Sequence, residues 1–249
     1  MTPTLDIAGP IATLTLRRPK AANKLAPEDL PILRQHIQTI DRDPDVLVLA
    51  LRSTGRHFSA GYDIGEIASS QAEGQGVGEM IDALENCRAV TVAVLQGGVY
   101  GGATDMALAC DFRMGCEATQ MFMPAARLGL HYYLSGMERY VSRLGVDMAK
   151  RLFLTGETLD GPAMHRAGFL THLVSHGELE ERSRAFCAQL AGMAPIALLG
   201  MKQHLNRIAR GTVDPAAVRA SVVRSLESED IQEGGRAWKE KRAPRFTGR

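Results

Sequence analysis

An α/β fold is predicted by two observations: across the first two thirds of the 249 residues, short apolar runs alternate with amphipathic runs of helical length, and the last third lacks strand-like runs. Taking the segments in order, "IATLTLRR" from Ile11 alternates with period two and reads as a strand. "PEDLPILRQHIQTIDRD" reads as a helix that opens with Pro27 and acids at its N-terminus. "VLVLALR" from Val46 is a continuous apolar run and reads as a buried strand. Next come the glycine-bearing "HFSAGYDIGE", a polar Gly/Ser/Gln-rich stretch over Ser69 to Gly78, the strand "TVAVLQG", and the compact helical run "ATDMALAC". After about Gly177 the strands stop, and "ELEERSRAFCAQLAGM", "PIALLGMKQHLNRIAR", "PAAVRASVVRSLES" and "DIQEGGRAWKEKR" read as successive helices. Such a tail packs on its own core or on a neighbouring subunit, and both options stay open.

Composition narrows the function classes. A formal net charge of +1 gives no global field to recruit nucleic acid or an anionic membrane, and no basic-aromatic stripe suggests RNA. Cys87, Cys110, Cys116 and Cys187 form no CxxC pair and sit among small or apolar neighbours, as reduced, buried thiols of a cytoplasmic protein do. The histidines show no metal-ligand spacing, so no metal is expected. "MTPTLDIAGP" lacks the basic and apolar regions of a signal peptide.

The chemistry is sought at Gly101 and Gly102, which follow the strand-like "VAVLQGGV" and precede a helix, where free amides emerge. Glycine lets a ligand oxygen approach the backbone closely, and the helix end contributes roughly half a positive charge. A second strand ends near the turn "FSAGYD", so two turns can supply one amide each to a single carbonyl, an oxyanion hole. The same glycines also suit a plain tight turn. No GxGxxG, GxxxxGK[ST] or GxSxG pattern is present, which leaves dinucleotide, P-loop and serine-hydrolase readings without support.

Taken together, "HFSAGYDI", "QGGVYGGATDMALACDF" and "MPAARLGL" resemble the crotonase (enoyl-CoA hydratase/isomerase) superfamily in order and spacing. The resemblance runs from "LRRPKAANKL" through "LTGETLDGPAMHRAGFLTHLV" to "SEDIQEGGRAWKEKRAPRF". It implies a spiral of ββα turns over residues 1–176 that carries an acyl-CoA site. Residues 177–249 would form a helical region that completes the CoA site and the interface of a homotrimer or hexamer. It also implies a CoA thioester as substrate with no further cofactor, and oxyanion amides at Tyr62 and Gly102. Lys20, Ala21, Ala22, Ala60, Asp63, Ile64 and Gly101 would border the CoA, with Trp238 and Lys241 reaching it from a neighbouring subunit. Residues 236–249 hold six basic side chains against one acidic, which suits phosphates or simply a solvated tail.

Family hydratases use two glutamates as general acid and base; here those positions hold Asp105 and Ala125. Alanine transfers no proton, so hydration is disfavoured. Loss of carbon dioxide from a malonyl-type thioester needs no base, and the oxyanion hole accepts the enolate electrons. "LGLHYYLSGM" in particular resembles the methylmalonyl-CoA decarboxylase branch, which implicates Tyr132 and retains an acid at Asp105, although Tyr62 replaces that branch's histidine. Decarboxylation of a methylmalonyl- or malonyl-type CoA is the resulting expectation. Hydration or isomerisation through Asp105 or Glu138, and a catalytically idle acyl-CoA-binding subunit, are the alternatives. His131 is a further candidate for proton transfer, while Asp105 can also simply complement the helix dipole and Tyr132 simply pack beside Tyr133.

Overall fold

The computed structural model describes residues 1–62 and 75–249. The chain opens with an antiparallel pair, β1 (Thr4–Ala8) and β2 (Ile11–Leu16), in which Ala12, Leu14 and Leu16 are buried with the period of a strand. Helix α1 (Asp29–Arg42) starts two residues after Pro27 and buries Leu30, Leu33, Ile37 and Ile40 on one stripe. β3 (Val48–Ser53), α2 (Gln75–Glu85) and β4 (Val90–Leu95) follow, and every residue of β4 is buried, as a parallel strand covered on both faces requires. Then come β5 (Gly98–Tyr100), α3 (Gly102–Ala109), β6 (Phe112–Cys116), β7 (Gln120–Phe122), α4 (Leu134–Leu144), α5 (Val146–Thr155), β8 (Leu159–Asp160), α6 (Gly161–Arg166) and β9 (His172–Val174). Four helices end the chain: α7 (Leu179–Ala191), α8 (Pro195–Ala209), α9 (Pro215–Leu226) and α10 (Glu229–Glu240).

The main sheet has the order β1-β2-β3-β4-β6-β9 and is parallel from β2 onward; a smaller sheet has the order β5-β7-β8. Two successive turns of the chain lay one strand in the main sheet and the next in the smaller one, β4 then β5 and β6 then β7, before a helix follows. Ser59 joins the smaller layer through a parallel bridge to Val99. The resemblance's ββα spiral is therefore the observed crotonase-type α/β fold. One core fills the space between the two sheets and α1 to α5; a second lies on the outer face of the main sheet, covered by Leu179, Cys187 and Leu190 of α7. All four cysteines are buried.

Strand β1 was not expected from the sequence. It is an outer edge strand with Asp6 in its middle and three exposed residues at its end, so it carries little apolar periodicity.

Candidate active site

Two turns are stitched side by side by a chain of hydrogen bonds. Asn23 is buried and its amide donates to the carbonyls of Thr54 (2.7 Å) and His57 (2.9 Å). The Ser59 hydroxyl donates to the Asn23 carbonyl (2.8 Å) and accepts from the Gly61 amide (3.1 Å). Ser59 also pairs with β5 through Ser59 N–H to Gly98 O (3.2 Å) and Tyr100 N–H to Ser59 O (3.0 Å). The segment ending at Tyr62 thus lies against the segment that launches α3.

Glycine is required where they touch. Gly61 has φ of +84°, and a Cβ there would sit 2.6 Å from the Tyr100 carbonyl oxygen and 2.9 Å from the Gly102 nitrogen. Gly101 caps α3 with φ 54° and ψ −128°, a conformation that side chains strongly disfavour. A Cβ on Gly102 would lie 3.8 Å from the Tyr62 nitrogen. That geometry caps the separation of the two nitrogens at about 6 Å, close to the largest span that one oxygen can bridge with two hydrogen bonds of about 2.9 Å. As the first residue of α3, Gly102 has an amide with no intrahelical acceptor.

Ala60, Tyr62, Gly101 and Gly102 line a cavity of about 840 Å³. Its walls include Phe122, Met123, Ala125, Leu130, Tyr132 and Tyr133, and no lysine or arginine among the described residues lines it. Glu79, Asp82 and Glu138 line it too, each held in an ion pair, to Arg34 (2.7 Å), Arg139 (2.6 Å) and Arg210 (2.9 Å) respectively. His131 is an exposed lining residue whose Nδ1 lies 2.8 Å from the Tyr132 carbonyl oxygen.

Asp105 sits differently from a side chain that meets substrate. It is fully buried and does not line the cavity. Its carboxyl accepts two bonds from Arg139 Nη1 (3.0 and 3.1 Å) and one from the Tyr133 hydroxyl. Burial pushes the Asp105 carboxyl above its ordinary value, against the opposing pull of Arg139 and Tyr133. Tyr132 and Tyr133 both line the cavity in front of Asp105: the Tyr132 ring stacks on Tyr133 with centroids 4.4 Å apart, and its hydroxyl lies 3.4 Å from that of Tyr133. Gly136 makes room for it, since a Cβ there would meet the Tyr132 ring at 2.4 Å.

The remaining expected site residues are dispersed. The 3₁₀ turn Pro19–Ala21 holds exposed Lys20 and Ala21, and Ala22, in the left-handed region at φ 48°, accepts the Ala60 amide through its carbonyl (2.8 Å), so this turn is fastened directly to a cavity residue. Trp238 on α10 is 87% exposed, Lys241 is exposed, and neither lines the cavity of its own chain. Asp63 and Ile64 lie outside the described residues. Sequence reasoning named Tyr133 only as the neighbour of Tyr132, and missed Arg139 and Asp82 altogether. A signal existed for Arg139: with Gly136, Tyr140 and Arg143 it occupies the i, i+3, i+4, i+7 stripe that α4 turns to the core.

Comparison with known proteins agrees with this architecture. A sequence model of the family described as enoyl-CoA hydratase/isomerase matches residues 6–249. The chain is 32% identical to human enoyl-CoA hydratase domain-containing protein 2, mitochondrial, over 98% of this chain and 88% of that protein. It is 29% identical to carnitinyl-CoA dehydratase of Salmonella typhi, over 97% and 96%. Among solved structures, an enoyl-CoA hydratase/isomerase family protein of Hyphomonas neptunium superposes with a TM-score of 0.92 at 26% identity, covering 99% of this chain and 98% of that one. The chain belongs to the enoyl-CoA hydratase/isomerase, or crotonase, family of acyl-CoA enzymes.

Proposed function

We propose that this enzyme generates a thioester enolate by decarboxylating a malonyl- or methylmalonyl-type CoA, with the thioester oxygen held by the Tyr62 and Gly102 amides and the enolate carbon protonated by Tyr132. The observation that carries the reading is the acid–base inventory of the cavity. Position 125 holds a buried alanine, Asp105 is walled off behind Tyr132 and Tyr133, and the lining carboxylates are ion-paired. Hydration would need a positioned base for water, whereas departing carbon dioxide leaves the electron pair by itself. A substrate carboxylate in a cavity whose lining offers no lysine or arginine is poorly solvated, which favours its loss. A carboxylate at position 125 would repel it further.

A second reading, enoyl-CoA hydration, is favoured by the names of relatives such as the dehydratase and the human hydratase-domain protein. Parallel assays separate the two: carbon dioxide release from malonyl- and methylmalonyl-CoA, and hydration of crotonyl-CoA. Release without hydration supports decarboxylation; hydration without release replaces it; tight binding of CoA thioesters with neither activity marks a non-catalytic subunit. If decarboxylation holds, Ala125→Glu lowers carbon dioxide release by at least tenfold through like-charge repulsion, an effect of about 1.4 kcal/mol or more. We further propose a homotrimer, or a pair of trimers, in which a neighbouring copy supplies Trp238 and Lys241 to the CoA.

A further inference from the structure

We propose that Tyr133 relays a proton between the buried Asp105 carboxyl and the Tyr132 hydroxyl in the cavity, and that Arg139 is the positioning residue that holds Asp105 in line with it. The proposal rests on the enolate reading above, and extends it from one acid to a chain of groups.

The geometry is linear. Tyr132 lines the cavity, its hydroxyl lies 3.4 Å from that of Tyr133, the Tyr133 hydroxyl donates to Asp105 Oδ2, and Arg139 Nη1 bonds both oxygens of the same carboxyl at 3.0 and 3.1 Å. The first link, at 3.4 Å, is the longest in the chain. Asp105 is 0% exposed, and among these contacts it reaches the ligand space only through Tyr133, which lines the cavity beside Tyr132. Arg139, equally buried, is gripped from the far side by Asp82 at 2.6 Å and Glu85 at 3.4 Å, so its guanidinium is fixed at both ends. The other groups around this centre are Tyr140, bonded to Thr104, and Arg143 and Arg210, both on Glu85.

The step balances. When the substrate α-carbon loses a proton to the Tyr132 oxygen, the Tyr132 proton passes to Tyr133 and the Tyr133 proton to Asp105, whose carboxylate becomes a carboxylic acid. The electron pair stays on the substrate as the enolate held by the two amides. The reverse passage returns a proton to carbon and restores the carboxylate. Burial and the Asp105 charge raise both tyrosine hydroxyls well above their usual range, so neither stays ionised and each only hands a proton on.

The test is exchange of the α-protons of propionyl-CoA with deuterated water, followed by NMR, a reaction independent of decarboxylation. The wild type is expected to catalyse exchange. Tyr133→Phe, which keeps the ring stack, should slow it about 100-fold, the usual worth of a positioned proton-transfer group, with the Kd for propionyl-CoA unchanged within about twofold. Asp105→Asn should slow it similarly, and the double variant should be no slower than the worse single variant, because one serial path is broken only once. Arg139→Lys should retain part of the rate and Arg139→Gln almost none of it. No exchange by the wild type, exchange indifferent to Tyr133→Phe, or multiplying effects in the double variant would overturn the relay. Failure of carbon dioxide release alongside intact, Tyr133-dependent exchange would sink the decarboxylation reading alone.

Discussion

Position 102 separates a backbone requirement from a side-chain one. A Cβ there meets nothing closer than 3.8 Å, so the fold tolerates a side chain, and proline is compatible with the first position of a helix. Proline removes the amide hydrogen. Gly102→Pro is therefore expected to fold with a near-native melting temperature while kcat for the acyl-CoA reaction drops about 10²- to 10³-fold, the usual consequence of losing one oxyanion donor. Gly61 behaves oppositely. Its positive φ and the 2.6 Å approach to the Tyr100 carbonyl mean that Gly61→Ala both strains the backbone and pushes the two turns apart. Thermal unfolding should register a loss of about 1–3 kcal/mol alongside the loss of activity. A Gly61→Ala protein as stable as the wild type would show that the turns can separate freely.

Helix α4 delivers an arginine to the protein interior, and the cluster around it sets an acid limit. Glu85, on α2, faces Arg139 at 3.4 Å, Arg143 at 3.3 Å and Arg210. Burial pushes its carboxyl up, but the three guanidiniums outweigh burial and hold it below its ordinary value of 4.5. A carboxyl whose pKa is lowered on folding contributes stability above its unfolded value and loses it as pH falls through the folded one. Stability of the wild type should thus fall as pH drops below about 4.5, and Glu85→Gln should be less stable at pH 7 yet flatter across that acid range, as chemical denaturation at several pH values will read. Arg139→Met would leave Asp82, Glu85 and Asp105 facing one another and should cost about 3–5 kcal/mol.

The same helix shows what a sequence conceals. Period-two alternation located β2, continuous apolar runs located β3 and β4, and helix-length amphipathic runs located α1 and α7 to α10, because those signals are local. The glycines at 61, 101 and 102 announced the two turns, because the positive φ at 61 and 101 favours glycine and a helix that starts at a glycine leaves its amide open to a ligand. The partners of Arg139, however, are 57, 54 and 34 residues away, and no local pattern links them. Whether Asp105 faces the cavity or backs it depends on Tyr132 and Tyr133 folding over it, a tertiary matter.

At the scale of the whole molecule, the C-terminal helices present more apolar surface than one chain can use. No residue of α9 is buried, although Val222, Val223 and Leu226 are 53%, 51% and 63% exposed, and Met201, Leu205 and Ile208 of α8 are between 57% and 63% exposed. Contiguous apolar surface of this kind is what protein, membrane and ligand contacts cover, and the homotrimer or hexamer proposed above assigns it to a second copy. Trp238 is also exposed, not part of its own cavity's lining, and part of a basic segment suited to phosphates. If copies of the chain pack through α8 and α9, assembly and CoA affinity become one property. Light scattering of the wild type should then give three or six times the chain mass of 27.0 kDa. Val222→Glu with Leu226→Glu, which bury charge in such a contact, should yield monomers whose Kd for CoA thioesters is at least tenfold weaker, although neither residue lines the cavity. Trp238→Ala should weaken the same Kd while leaving the mass unchanged. A monomeric wild type, or a monomeric double variant that binds CoA thioesters as tightly as the parent, would place the whole CoA site within one chain and remove the reason for these helices to meet a neighbour.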